Sequence, residues 1–195
     1  MKAFRSLTAR AAVLDRPDVD TDQIVPKQFL KRIERTGYGE FLFHDRRQDP
    51  KFELNRPACE GARILLAGPN FGCGSSREHA AWALQDYGFE VIVAPSFGDI
   101  FFSNAVQVGL VPVTLPSPVV KDLMQSVAGG GELTVDLEKE TIVDQSGWVV
   151  QFEMDPFVRS SLLEGLDTIG RTLQHEAEIA AFESAAPSPI ETTSA

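Results

Sequence analysis

Cysteine is scarce in this 195-residue chain, which carries only Cys59 and Cys73. Neither has a second Cys or a His beside it at ligand spacing, so the sequence offers neither a zinc site nor a disulfide framework. A reducing, cytoplasmic setting is the default. Positive charge is also in deficit: 18 Lys and Arg stand against 28 Asp and Glu, for a formal net charge of −10. General nucleic-acid binders and binders of anionic membranes draw their affinity from clustered Lys and Arg, so both classes are excluded. Any anionic ligand must be held by a local device. Long apolar runs are missing too, with no stretch of about 18 residues that could span a bilayer. The N-terminal MKAFRSLTARAAVLD is basic, but its longest apolar stretch, Ala11 to Leu14, is too short for a signal-peptide core. The expectation is a soluble, unexported protein without internal repeats.

What the chain does have is an ordinary globular composition, 43% hydrophobic and 24% charged, in a length that suits one domain. Residues 1–60 read as irregular, interrupted by Pro17, Pro26, Pro50 and Pro57. Regular patterning begins at Arg63–Ala67, an apolar strand ending at Gly68. A glycine-rich turn follows, and Ser75–Tyr87 reads as an amphipathic helix closed by Gly88. Next come a strand at Glu90–Ala94, a helix at Asp99–Val108, a proline-weakened strand at Val111–Leu115 and a helix at Pro118–Val127. Alternation in Leu133–Leu137, Thr141–Val143 and Trp148–Phe152 suggests an antiparallel meander. A helical region runs from about Asp155 to Phe182. The Pro/Ser/Thr-rich residues 184–195 lack a hydrophobic pattern and are expected to be disordered.

The stretch richest in chemistry is Gly68-Pro-Asn-Phe-Gly-Cys-Gly-Ser-Ser-Arg-Glu-His-Ala80. A P-loop needs Gly then Lys where Cys73 and Gly74 stand. A dinucleotide fingerprint starting at Gly72 needs Gly at Arg77, and a G-x-S-x-G elbow needs Ser at Gly74 or Gly at Glu78. No nucleotide or hydrolase signature remains. Glycine N–H groups and a helix start nevertheless converge there as an anion site, to which Arg77 adds a fork suited to a carboxylate. Ser75-x-x-Glu78 also reads as a capping box, and with two serines at the junction one can cap while the other faces a ligand. The second stretch, Asp18-Val-Asp-Thr-Asp-Gln-Ile-Val-Pro26, opens like a calcium loop but has Gln23 and Phe29 where Gly and Glu are required. It reads either as Asx turns or as a carboxylate orienting an arginine or serine.

Together these segments resemble the aconitase superfamily. The resemblance rests on Asp20-Thr-Asp-Gln-Ile24 with Pro26-Lys-Gln-Phe-Leu-Lys31, on Asn70 to Ala80, and on Leu162-Leu-Glu-Gly-Leu-Asp-Thr-Ile-Gly170, in that order. Within the superfamily, chain length and the Pro26–Gly37 segment point to the small subunits of 3-isopropylmalate dehydratases. The resemblance implies an α/β fold, the swivelling β/β/α layered domain of aconitase, over residues 1–183. It also implies a hydro-lyase that interconverts 2-isopropylmalate and 3-isopropylmalate in leucine biosynthesis. Such a chain works only as a heterodimer with a large subunit. A [4Fe–4S] cluster is expected on that partner, with no cofactor and no metal on this chain, since a cluster needs about three or four thiolates.

By the same resemblance Ser75 is the base, acting as an alkoxide, and Gly74, Ser76 and Arg77 hold a substrate carboxylate. Phe29 and Leu30 would read the branched hydrocarbon, with Lys31, Arg32 and Arg35 gripping carboxylates or the partner, or simply forming a solvated patch. Asp20, Asp22 and His79 would orient the site. His79 is open to a second reading as the base, and to a third as an inward structural residue. Related hydro-lyase subunits acting on homoaconitate, citramalate (methylmalate) or dimethylmalate, and a non-catalytic anion-binding domain, are the alternatives.

Overall fold

The computed structural model describes residues 1–31 and 34–185. The elements run in the order β1 (Ser6–Leu14), α1 (Thr21–Ile24), α2 (His44–Arg47), β2 (Ile64–Ala67), α3 (Glu78–Tyr87), β3 (Val91–Ala94), α4 (Asp99–Val108), β4 (Val111–Thr114), α5 (Ser117–Ser126), β5 (Glu132–Asp136), β6 (Thr141–Asp144), β7 (Val149–Gln151), α6 (Pro156–Glu164), α7 (Thr168–Leu173) and α8 (Glu176–Ala185), with short 3₁₀ turns in the first third. The strands form one seven-stranded sheet in the order β4-β3-β2-β1-β5-β6-β7. β1 to β4 are parallel, whereas β1, β5, β6 and β7 are antiparallel. This is the α/β architecture expected from the resemblance.

β1 corrects the reading of residues 1–60 as irregular. It sits at the centre of the sheet, with Ala11 opposite Ile64 on one side and Ser6 opposite Asp136 on the other. Its alternate residues Leu7, Ala9 and Ala11 enter one core, while Ala12 and Leu14 enter the other. The signal was a period of two made of small residues, which is weak when alanine supplies most of it. β2 and β3 are buried along their whole length, as parallel strands covered on both faces are. α3 and α4 belong to the core on one face and α5 to that on the other. Pro112 is tolerated because β4 is the sheet edge, paired only with β3.

Three further boundaries differ from the sequence reading. Helix α3 begins at Glu78 instead of Ser75, and its N-cap Arg77 supplies no side-chain cap. The C-terminal helical region is three helices, because Gly165 takes a left-handed conformation at the end of α6 and Asp167 starts α7 anew. Ser184 and Ala185 belong to α8. The rest of the segment expected to be disordered, 186–195, lies outside the described residues.

A candidate active site at the ends of the parallel strands

The loops that leave the carboxyl ends of β1, β2 and β3 continue the sheet as a layer of loop-to-loop hydrogen bonds. The loop after β1 binds the loop after β2 through Asp18 N to Pro69 O (3.0 Å), Gly72 N to Val19 O (2.7 Å) and Thr21 N to Cys73 O (3.0 Å). The loop after β3 closes the other side through Phe71 N to Ser96 O (3.0 Å) and Gly98 N to Phe71 O (2.9 Å). Side chains reinforce both seams, with Asn70 Nδ2 donating to Asp18 Oδ1 at 2.7 Å and Asn70 N donating to Ser96 Oγ at 2.8 Å. The middle loop, Gly68–Arg77, is thereby fixed from both flanks.

Glycine is a steric requirement in this layer. Gly72 has φ +74°, and a Cβ there would lie 2.2 Å from Phe101 Cγ; a Cβ on Gly98 would lie 2.7 Å from the Gly72 carbonyl oxygen. The first turn of α4 thus presses directly on the glycine turn.

The structure alters two parts of the expected chemistry. Neither Ser75 nor Ser76 caps α3, because both precede its N-cap, so the capping-box reading fails. The Gly72 N–H is already bonded to Val19 and is not available to a ligand. The free donors are one step further on: the N–H groups of Gly74, Ser75, Ser76 and Arg77 have no acceptor among the described residues. Gly74, Ser75 and Ser76 are exposed and Arg77 is partly buried, so this run of donors lies at the surface.

Ser75 is positioned through its backbone, because the buried Thr21 donates its hydroxyl to the Ser75 carbonyl at 3.0 Å. Sequence reasoning missed Thr21, although it stands between two of the candidate aspartates. Asp20 caps α1, its Oδ1 accepting from Gln23 N at 2.7 Å. Asp22 pairs with Arg77 Nη1, and the Arg77 side chain is 14% exposed. The acidic loop and the serine turn therefore meet, with the Asp22 carboxylate fixing the guanidinium beside the free N–H groups.

His79 packs its ring against Tyr38 and Trp82, with centroids 5.2 and 4.7 Å away. Burial, helped by Arg77 and opposed by Glu78, lowers its pKa below the ordinary histidine value, so it is neutral near pH 7. Cys73 is pushed up by burial and then by the Asp20 and Asp18 carboxylates, which leaves it a protonated thiol of low reactivity. Phe29 stacks on Phe41 at 4.1 Å and, like Leu30, is half-buried against the core. Lys31 is exposed. The Arg35 guanidinium sits 5.6 Å over the Trp82 ring, while Arg32 lies outside the described residues.

The thiols do not suit an iron–sulfur cluster. Cys59 is buried and donates to the Glu53 carbonyl at 3.4 Å, Cys73 lies in a separate loop, and the described residues contain no group of three or more Cys, His, Asp or Glu able to hold a metal.

Comparison with known proteins agrees with the fold and with the motif order. The family model of the aconitase C-terminal domain matches residues 1–118, and the model LeuD_N matches residues 121–156. The 3-isopropylmalate dehydratase small subunit of Acidobacterium capsulatum is 55% identical over 185 residues, covering 94% of this chain and 90% of that protein. The subunit of the same name from Bacillus subtilis is 53% identical, covering 94% and 96%. A crystal structure of 3-isopropylmalate dehydratase from Methanocaldococcus jannaschii superposes with a TM-score of 0.69 at 26% identity, covering 90% of this chain and 98% of its own. A seven-stranded sheet of this topology, a serine–arginine turn at its carboxyl edge and relatives matched over nearly their whole length lead to one placement: the chain belongs to the aconitase superfamily, in the family of 3-isopropylmalate dehydratase small subunits.

Proposed function

We propose that this chain is the small subunit of a 3-isopropylmalate dehydratase, a hydro-lyase of leucine biosynthesis that interconverts 2-isopropylmalate and 3-isopropylmalate by removing and re-adding water. The observation that carries the reading is the solvent-facing turn Gly74–Arg77, where four free N–H groups lie next to an arginine held by Asp22.

The reaction needs a base for a C–H proton next to a carboxylate, a holder for that carboxylate, and an activator for the departing hydroxyl. Ser75 takes the proton. A serine oxyanion is costly in water, and it is stabilised here by adjacent N–H dipoles, the start of α3 and the Arg77 charge. Ser76, Arg77 and the Gly74 N–H hold the substrate carboxylate, with Arg77 offering the Nη edge that Asp22 leaves open. Asp20 keeps the loop of Asp22 in place by capping α1. Phe29, stacked on Phe41, and Leu30, both beyond Pro26, read the branched side of the substrate, and Lys31 grips a carboxylate.

Activation of the hydroxyl falls to a large partner subunit with a [4Fe–4S] cluster, because two separated thiols cannot bind one. The exposure of Ser75 supports the same arrangement, since half of the site has still to be supplied. A cytoplasmic heterodimer, with no nucleic-acid or membrane partner, completes the reading. Two unbridged cysteines and the absence of a membrane-crossing helix among the described residues are in keeping with it.

The test is reconstitution with the cluster-bearing chain of the same cell, followed by assay on isopropylmalate, citramalate, dimethylmalate and homoaconitate. Isopropylmalate is expected to turn over fastest, and faster turnover of citramalate would reassign the substrate. Absence of any isomerase activity in a stable complex would leave an anion-binding module.

A further inference from the structure

A cavity of about 450 Å³ lies between the outer flank of α4 and the corner formed by α6 and α7. The proposed reaction makes no use of it, although the Leu162–Gly170 segment that helped to place the family forms part of its rim. Phe102, Val106, Phe157 and Leu166 give it apolar walls, and Arg171 lines it from α7.

Arg171 is held rigidly. Its Nε donates to Ser161 Oγ at 2.8 Å, its Nη2 donates to the Phe157 carbonyl at 3.2 Å and to Ser160 Oγ, and the guanidinium lies 4.1 Å over the Phe157 ring. All these acceptors are neutral. Among the described residues Nη1 has no acceptor and no carboxylate lies within ion-pair distance of the group. Asp167, the one carboxylate on the wall, has its Oδ1 on the Gly170 N–H at 2.7 Å as the cap of α7. His175, at the rim, faces Glu178 at 3.3 Å. A half-buried, immobilised cation with two free N–H donors and no counter-ion is completed by an anion.

We propose that this cavity binds a small monocarboxylate, its head on Arg171 Nη1 and its apolar body between α4 and α6. The volume lies within the roughly 300–1,000 Å³ typical of small-molecule sites. A doubly charged head is disfavoured by the Asp167 carboxylate on the same wall.

Hexanoate is the probe, titrated into the ¹⁵N-labelled full chain and followed by NMR, a readout independent of the dehydratase reaction. Saturable shifts are expected at the Arg171 side chain and at amides of α4, α6 and α7. Hexanamide and hexylammonium, of equal length, should bind about tenfold more weakly or worse, as expected for loss of a charge-assisted hydrogen bond. Arg171→Gln should reduce hexanoate to the hexanamide level. Ser103→Trp, at an exposed cavity-lining position on α4, narrows the cavity and should abolish binding with the fold intact. Equal binding of the three probes would overturn the proposal, as would shifts confined to residues 72–77. Unchanged hexanoate binding by a folded Ser103→Trp chain would overturn it too. Loss of hexanoate binding once the large subunit is bound would do the same by assigning the cavity to the subunit interface.

Discussion

Ser75 has its backbone fixed by Thr21 while the residue is exposed, so the role proposed for it can be tested apart from folding. Ser75→Ala in the reconstituted enzyme is expected to lower kcat by about 10² to 10⁴-fold, the usual contribution of a positioned base, while circular dichroism and partner binding stay unchanged. Thr21→Val removes the hydroxyl that holds the Ser75 carbonyl but keeps the volume. It should cost about 1 kcal/mol of stability, by denaturant titration, and lower kcat more than it raises KM. Arg77→Lys keeps the charge but loses the planar fork shared between Asp22 and substrate, so a raised KM is expected. His79 supplies a pH test. Burial lowers its folded pKa, whereas in the unfolded chain it titrates near about 6.5. As pH falls through that value the unfolded chain takes up the proton first, so His79 reduces stability below about pH 6.5 and has no effect above it. Replacing His79 with Phe, which keeps the ring contacts, should flatten the dependence of Tm on pH over that range.

At the scale of elements, the glycine turn and the first turn of α4 form one unit, because the Phe101 ring occupies the space a Cβ at Gly72 would need. Gly72→Ala combines that clash with a strained positive φ and should cost at least about 2 kcal/mol, read as a lowered denaturation midpoint. Motif order, glycine punctuation and apolar runs made β2, β3 and α4 legible within about a residue of their observed ends. What the sequence hid was of two kinds. β1 was obscured because its alternation is written largely in alanine, so its central place depends on pairing with β2 and β5, which only the assembled sheet supplies. The start of α3 was misjudged because a capping box is a local rule, while Ser75 is held by Thr21, far away in sequence. The same long-range bonding brought Asp22 to Arg77, a pairing the sequence suggested only as one of two readings. The stack of Phe29 on Phe41 was also hidden, because it lies between loops whose proximity no spacing rule encodes.

At the scale of the molecule, net charge and cysteine count describe a chain made for company. A surface carrying −10 overall repels a dicarboxylate at long range. In the proposed reaction, attraction would therefore come at short range, from the N–H run at residues 74–77, from Arg77, and from what a large subunit would bring. The isolated chain should show no turnover at any concentration. With the partner held fixed, activity should rise hyperbolically with this chain and saturate at one equivalent, as measured by titration under assay conditions.

The central position of β1 also governs the order in which the chain can fold. β1 has one neighbour emerging some 50 residues later and another beginning at Glu132, so its sheet-forming contacts join distant parts of the sequence. Such a topology folds slowly, and until β5 arrives β1 keeps an unpaired edge. Chains released before residue 132 would therefore present an open parallel sheet to one another, and aggregation, more than loss of activity, would be the first symptom of incomplete synthesis.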